Sequence, residues 1–200
     1  MKRRLIALAL LVAALAAAAT HTSSSRAADP GPPPVSAEGA PSSSEPALPS
    51  SGNFAPYPGA PDVGGVTPDA GANSNVIQAG SCYYRQRTDD VHISSTAPKA
   101  VSVHAWWVKD HGTCPATANV DAFVEAYWCD QFGCQWIDVA TNSKDVHQGG
   151  GSSNWVAARK DCSSTSKSVG WRGAVDVDLN GVSDPGGRNN STPINFLCVP

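Results

Sequence analysis

Long hydrophobic runs and basic residues are both scarce in this 200-residue sequence. One long apolar run lies near the start of the chain, and no later run approaches the roughly 20 residues that a transmembrane helix needs. After residue 27 the chain carries ten Lys or Arg against seventeen Asp or Glu, a net charge of −7 (10 − 17). We therefore expect no nucleic-acid partner, because phosphate binding needs a basic face, and no membrane partner once the first segment is removed.

Signatures of common catalytic sites are also missing. The sequence has no G-x-S-x-G elbow and no H-E-x-x-H pair, and Glu125 is the one Glu after residue 75. Paired carboxylates for glycoside cleavage would have to involve Glu125 or two Asp residues. The four histidines after residue 75 show no zinc-ligand spacing, so we expect each to be a solvated or hydrogen-bonded structural residue; they are His92, His104, His111 and His147. The sequence predicts that the protein is not an enzyme.

The first 27 residues have the pattern of a secretory signal peptide. Lys2, Arg3 and Arg4 precede an apolar run over residues 5–19, and small residues follow. Cleavage after Ala27 fits this pattern, and cleavage after Ala19 is the alternative. We expect a secreted, extracellular protein exported by the bacterial Sec route.

Residues 28–75 have the composition of a spacer. Eleven of the sixteen prolines lie between residues 29 and 75, together with abundant Ser, Gly and Ala and no basic residue. Such a segment buries too little apolar surface to offset the entropy of ordering, so we predict a disordered linker. Phe54 and Tyr57 are its only aromatic residues, and isolated aromatics in a linker predict no structure.

All six cysteines lie in the remaining segment, residues 76–200, which we predict to be one disulfide-bonded domain. Six cysteines allow fifteen pairings. Cys129 and Cys134 flank a four-residue loop between two runs of strand-forming residues, and opposed strand positions bring Cβ atoms close enough to oxidise. This pattern predicts a stapled hairpin over residues 125–140, although other partners stay open for both cysteines. The sequence does not predict the pairing of Cys82, Cys114, Cys162 and Cys198.

Short β-rich runs separated by turn residues indicate an all-β fold, an immunoglobulin-like two-sheet sandwich of seven or eight antiparallel strands. The predicted strands are 81–87, 91–94, 100–109, 120–129, 135–141, 155–161, 168–179 and 194–198. Residues 120–128 also fit a helical stripe, and we favour a strand because Val, Phe, Tyr and Trp prefer sheets. Within 171–179 the odd positions are predicted to face the core and the Asp residues to face solvent.

The run that begins at Asp176 is similar to calcium loops of the D-x-D-x-[DN]-G type. Its candidate ligands are Asp176, Asp178, Asn180 and Asp184. Position twelve is Gly187, so the acidic residue that normally closes such a loop is missing. The alternative is two solvent-facing carboxylates on a strand, followed by an Asn-Gly turn. We predict no cofactor, with calcium as the alternative.

Six tryptophans lie between Trp106 and Trp171. Aromatic side chains on an exposed sheet stack on sugar rings in many extracellular modules, whereas in small sandwiches Trp also packs against disulfides in the core. Trp106 and Trp107 are adjacent, so they must point to opposite faces of a regular strand. The candidate ligand-binding residues are Trp107, Trp128, Trp136 and Trp155.

Three segments, AWWVKDHGTCP, EAYWCDQFGCQW and VGWRGAVDVDLNGVSDP, resemble those of small exported cysteine-containing β proteins of actinomycete type, which have no assigned activity. The C-x4-C hairpin is also similar to that of the neocarzinostatin-type apoproteins. That resemblance implies an immunoglobulin-like sandwich that cradles a small molecule.

These patterns together predict a secreted, non-catalytic binding module for extracellular polysaccharide or cell wall. The first alternative is a protein-directed effector or protease inhibitor, with a rigid exposed loop at 149–154 or 184–193. The second is a structural coat or matrix protein, which would self-associate. The sequence leaves the oligomeric state open.

Overall fold

The computed structural model describes residues 45–62 and 74–200, and within these ranges the fold is all-β. The predicted signal peptide lies outside the described residues. The strands are β1 (Asn53–Phe54), β2 (Ile77–Ala79), β3 (Cys82–Thr88), β4 (His92–Ile93), β5 (Ala100–Gly112), β6 (Thr117–Asp130), β7 (Gly133–His147), β8 (Val156–Asp161), β9 (Ser164–Leu179), β10 (Asn189–Asn190) and β11 (Ile194–Val199). No helix in the described residues is long and apolar enough to cross a membrane.

Two antiparallel sheets make up the fold. The six-stranded sheet has the order β1-β6-β9-β10, with β7 paired to β6 and β11 paired to β9. In the five-stranded sheet β2 pairs with β3, β3 and β4 pair with the same edge of β5, and β8 pairs with the other edge of β5. The predicted all-β two-sheet sandwich is confirmed, and each of the eight predicted strands is present. The stretch that also fitted a helix, residues 120–128, is part of strand β6.

The core lies between the two sheets and follows the two-residue period of the strands. On β9 the odd positions Trp171, Val175, Val177 and Leu179 are buried, as predicted. Trp171 donates its indole N–H to the carbonyl of Cys198 on β11 (3.1 Å). Alternation therefore sets which side chains face the partner sheet and which remain on the outside.

Three disulfides cross-link the domain at three separate positions. Cys129 and Cys134 are directly opposed on β6 and β7, so the predicted staple is confirmed. Cys82 at the start of β3 pairs with Cys114, which follows β5. Cys162 after β8 pairs with Cys198 on β11 and so links the two sheets. Three disulfides indicate that the protein matures in an oxidising compartment.

The predicted disordered linker needs correction over residues 45–62, where the chain lies against the domain. Strand β1 pairs with β6 and places Phe54 opposite Trp128, with ring centroids 4.7 Å apart. The backbone hydrogen bonds continue beyond β1, because Ala55 donates to the carbonyl of Tyr127 (3.0 Å) and Gly170 donates to the carbonyl of Ala55 (2.9 Å). The rest of the predicted linker, apart from residues 74 and 75, lies outside the described residues.

Tyr57 explains why this segment orders despite its prolines. Its ring packs against the rings of Tyr127 and Trp136 at 5.0 and 5.1 Å. The Asn195 side chain accepts a hydrogen bond from the Tyr57 N–H (2.8 Å) and donates to the carbonyls of Tyr57 and Ala60. Two aromatic side chains and a paired backbone offset the entropy of ordering this segment. The composition of the segment does not predict these contacts, because they depend on residues elsewhere in the chain.

Substitution of Gly170 by Ala should dislodge this docked segment. A Cβ at Gly170 would lie 2.6 Å from the Tyr57 Cβ and 2.7 Å from its backbone nitrogen, so the segment must move. We expect the free energy of unfolding to fall by about 1–3 kcal/mol. Limited proteolysis should show faster cleavage within residues 45–62.

Gly186→Ala is the matched control, because a Cβ there meets nothing within 4 Å. Equal destabilisation by the two substitutions, or unchanged protection of residues 45–62 in Gly170→Ala, would contradict this account of the docking.

Candidate functional site

Strand β5 exposes an aromatic row on the outer side of the five-stranded sheet. Its inward residues Val103, Ala105 and Trp107 are at most 1% exposed, and Trp107 donates its indole N–H to the carbonyl of Val146 (3.1 Å). The alternate residues His104 and Trp106 are only partly buried. The predicted opposite orientation of Trp106 and Trp107 is therefore confirmed.

Trp155 joins this row from the neighbouring strand. Val156 pairs with Ala105 and Ala157 pairs with His104, so Trp155, one residue before β8, is at the level of Trp106. Its ring stacks on the His104 imidazole with centroids 4.2 Å apart and an interplanar angle of 25°. Trp155 is also only partly buried, so the sheet holds two accessible indoles beside each other.

A glycine-rich loop supports Trp106 from the side. The Gly149 N–H donates to the carbonyl of Trp107 (2.8 Å), which holds the loop against β5. A Cβ at Gly150 would lie 3.5 Å from the Trp106 indole nitrogen, so this loop packs closely against the ring. The loop therefore fixes the position of Trp106.

The far end of β5 carries a second stacked pair. The Tyr83 and His111 rings lie 4.0 Å apart at 12°. Asp110 accepts hydrogen bonds from His111 (2.7 Å) and Arg85 (3.2 Å), and these bonds lower the pKa of its carboxyl. We call the outer surface formed by His104, Trp106, Trp155, Tyr83 and His111 the aromatic face.

Asp89 and His92 lie at the other end of the aromatic face, beside His104. Among the described residues, these three form the one group of three or more His, Cys, Asp or Glu side chains whose ligand atoms all lie within 4.8 Å of one another. The Asp89 Oδ2 lies 2.7 Å from the His104 Nδ1 and 3.6 Å from the His92 Nδ1. The spacing of these residues along the sequence does not predict the group, because strand pairing alone brings His104 next to Asp89 and His92.

An open cleft of about 670 Å³ begins where the aromatic face ends. Ser102 precedes His104 by two residues on β5, and Ala157 is directly opposite His104; both residues line the cleft. Arg159 and Lys160 also line it. Their charges are balanced within the cleft, where Arg159 pairs with Asp161 and Lys160 pairs with Glu45.

The four predicted ligand-binding tryptophans do not form one site. Trp107 and Trp128 are buried, and Trp136 belongs to the other sheet, where it packs with Tyr57 and the Arg172 guanidinium. Only Trp155 lies on the aromatic face. The alternation of Val101, Val103 and Ala105 was the signal that places Trp107 inward and Trp106 outward.

The predicted calcium ligands do not converge either. The strand continues through Leu179, so Asp176 and Asp178 lie along an extended backbone instead of wrapping around an ion. Asp184 turns back and accepts hydrogen bonds from the Leu179 N–H and the Tyr84 hydroxyl, both at 3.0 Å. Asn180 donates its side-chain amide to the Thr117 hydroxyl. Strand geometry therefore favours the alternative of solvent-facing carboxylates and a turn.

Glu125, the one Glu in the domain, is held in a buried ion-pair network on the outer side of the six-stranded sheet. Its carboxylate pairs with Arg172 and Arg188, and Arg188 also binds Asp138 at 2.8 Å. Arg188 lies over the Phe123 ring, 3.5 Å from the centroid. The carboxylate is thus fully engaged in structural contacts.

No family model matches the chain, and no curated protein and no solved structure matches it significantly.

Substitution of Asp178 by Asn should stabilise the domain slightly at neutral pH. Burial raises the pKa of the Asp178 carboxyl, and the carboxylates of Asp176, Asp184 and Asp121 raise it further. The folded state therefore binds the proton more tightly, and stability falls as pH rises from the ordinary Asp pKa through the raised one. The gain should stay below about 0.5 kcal/mol, because solvent screens this exposed group.

Thermal unfolding of the two proteins across acidic to neutral pH measures this difference. The gain from Asp178→Asn should shrink as pH falls below the raised pKa, and excess calcium should leave the melting temperature of the native protein unchanged. A calcium-dependent rise that Asp178→Asn abolishes would restore the metal-loop interpretation.

Proposed function

We propose that the protein is a secreted, non-catalytic module that binds an extracellular polysaccharide or cell-wall polymer on the aromatic face. The observation that carries this proposal is the pair of partly exposed indoles, Trp106 and Trp155, which strand register holds at the same level of the sheet. Flat aromatic rings offer an apolar surface for the C–H groups of a sugar ring. Polar groups at the edge of the face, among them Arg85 and Asp110, are placed to bind hydroxyls.

The rigidity of the face supports a binding role. His104 lies between the rings of His92 and Trp155, at 5.2 and 4.2 Å, and the loop at Gly150 packs against Trp106. A preorganised surface loses little conformational entropy when a ligand binds. The adjoining cleft would accommodate further units of an extended polymer.

A non-catalytic role agrees with the contacts of the potentially reactive side chains, which are ion-paired or hydrogen-bonded within the domain. Glu125 is neutralised by two arginines, and the Ser102 hydroxyl near His104 is buried and donates to the carbonyl of Ala158 (3.2 Å). The disulfides support an extracellular location, and the signal-peptide pattern of residues 1–27 supports export. The immunoglobulin-like assignment and the likeness to neocarzinostatin-type apoproteins stay predictions.

Depletion of the protein by insoluble polysaccharides and isolated cell walls tests this role. Trp155→Ala and Trp106→Ala should each weaken binding at least about tenfold, the loss typical of an aromatic residue that anchors an interface. Trp136→Ala is the matched control, because that Trp lies on the other sheet under Tyr57. Absence of saturable depletion, or equal loss in the control, would reject the aromatic face as the binding surface.

A second candidate, a protein-directed effector or inhibitor, is favoured by the tip of the stapled hairpin. Phe132 is 87% exposed, and the Cys129–Cys134 disulfide closes the loop that presents it. The Asp130 carboxylate accepts a hydrogen bond from the Phe132 N–H (2.7 Å), which orders the turn. The loops predicted for this role, 149–154 and 184–193, instead make contacts within the domain through Gly149, Asp184 and Arg188.

The third candidate, a structural coat or matrix protein, would require the protein to self-associate.

Substitution of Phe132 by Ala separates the two candidates. Because the ring is exposed, the free energy of unfolding should change by less than about 0.5 kcal/mol. If the aromatic face is the binding surface, polysaccharide depletion should also stay unchanged. Inhibition of a panel of extracellular proteases that disappears in Phe132→Ala, while Trp155→Ala retains it, would favour the protein-directed role.

A further inference from the structure

We propose that Asp89, His92 and His104 form a binding site for one divalent metal ion and that Zn²⁺ is the favoured ion. The ligand atoms of the three side chains all lie within 4.8 Å of one another. Their side chains are 19–22% exposed, so an ion could reach the site from solvent. The site shares His104 with the aromatic face, but metal binding requires no polysaccharide and is tested without it.

The fold brings the three ligands together through β5. Strand β3 ends at Thr88, and β4 then pairs with β5 so that His92 lies opposite Ser102. The connection between them is anchored by Val91, which is fully buried. Asp89 donates its backbone N–H to the carbonyl of His104 (3.0 Å), which holds its carboxylate at the level of that residue.

Contacts around the three side chains restrict their orientation. The second carboxylate oxygen of Asp89, Oδ1, accepts a hydrogen bond from the backbone N–H of His104 (2.6 Å), which leaves Oδ2 directed at the imidazoles. The His104 ring stacks on His92 on one side and on Trp155 on the other, and these contacts fix its plane. Such supporting contacts fix ligand orientation in metal sites.

Metal binding requires a local adjustment of both ring planes and distances, because the His92 and His104 rings are stacked at 24° and the His92 Nδ1 lies 3.2 Å from the carbonyl oxygen of Asp90. Metal–ligand bonds of 2.0–2.2 Å at tetrahedral angles separate neighbouring ligand atoms by about 3.4 Å. The Asp89 Oδ2 to His92 Nδ1 distance, 3.6 Å, already matches this value. The Asp89 Oδ2 to His104 Nδ1 distance, 2.7 Å, is that of a hydrogen bond, and the two atoms must separate by about 0.7 Å as the ion replaces the shared proton.

The donor set selects the class of ion. Two imidazoles and one carboxylate suit zinc and related borderline ions, whereas calcium prefers six to eight oxygen ligands. All six cysteines are in disulfides, so no thiolate completes the set. Three protein ligands leave a fourth position open to water or to an oxygen of another molecule.

Isothermal titration calorimetry of the metal-stripped full chain with ZnCl₂, without polysaccharide, tests the proposal. We expect one saturable site per chain. His92→Ala and Asp89→Asn should each weaken binding at least about tenfold, since even supporting residues of metal sites cost that much. The Asn side chain retains an acceptor for the His104 backbone N–H, and His92 belongs to a two-residue strand, so both variants should fold.

His111→Ala is the matched control. His111 also lies on β5 and binds a carboxylate through Nδ1 at 2.7 Å, but no third ligand joins this pair in the described residues. Visible absorption of bound Co²⁺ gives an independent readout of tetrahedral coordination. Failure to bind Zn²⁺, or equal weakening by His111→Ala and His92→Ala, would show that the cluster is a hydrogen-bonded Asp–His pair and overturn the proposal.

Discussion

The two-residue period of β5 is the constraint on which the site depends. It sends Val103, Ala105 and Trp107 into the core, and the anchoring of these buried residues holds His104 and Trp106 on the outside. Because β5 pairs with β3 and β4 on one edge and with β8 on the other, residues from four separate parts of the chain meet around His104. Burial on one face of the strand therefore organises the exposed chemistry on the other.

Local patterns predicted the strands and one disulfide because both depend on near neighbours. Alternating apolar residues placed β9 correctly, and the spacing of Cys129 and Cys134 required only a tight hairpin. The pairing of Cys162 with Cys198 could not be predicted, since it depends on how β8 and β11 meet across the fold. Contacts between residues distant in sequence leave no local signal.

Long-range contacts also complete the burial of one misplaced site residue. Trp128 has the parity of the buried Val124 and Ala126 on β6, and Phe54, seventy-four residues earlier (128 − 54), packs on its indole. The order of residues 45–62 depends on Asn195 and Gly170, which the composition of the segment could not reveal. Trp107 and Trp128 were misassigned although local alternation already places both side chains inward.

The central claim is that the accessible indoles of the five-stranded sheet bind an extended carbohydrate. Titration of the isotopically labelled protein with soluble polysaccharide fragments, followed through the indole N–H resonances, tests it most directly. The resonances of Trp106 and Trp155 should shift and saturate together, while those of the buried Trp107 and Trp171 stay in place. Unmoved resonances for Trp106 and Trp155, or shifts confined to Trp136, would contradict the account.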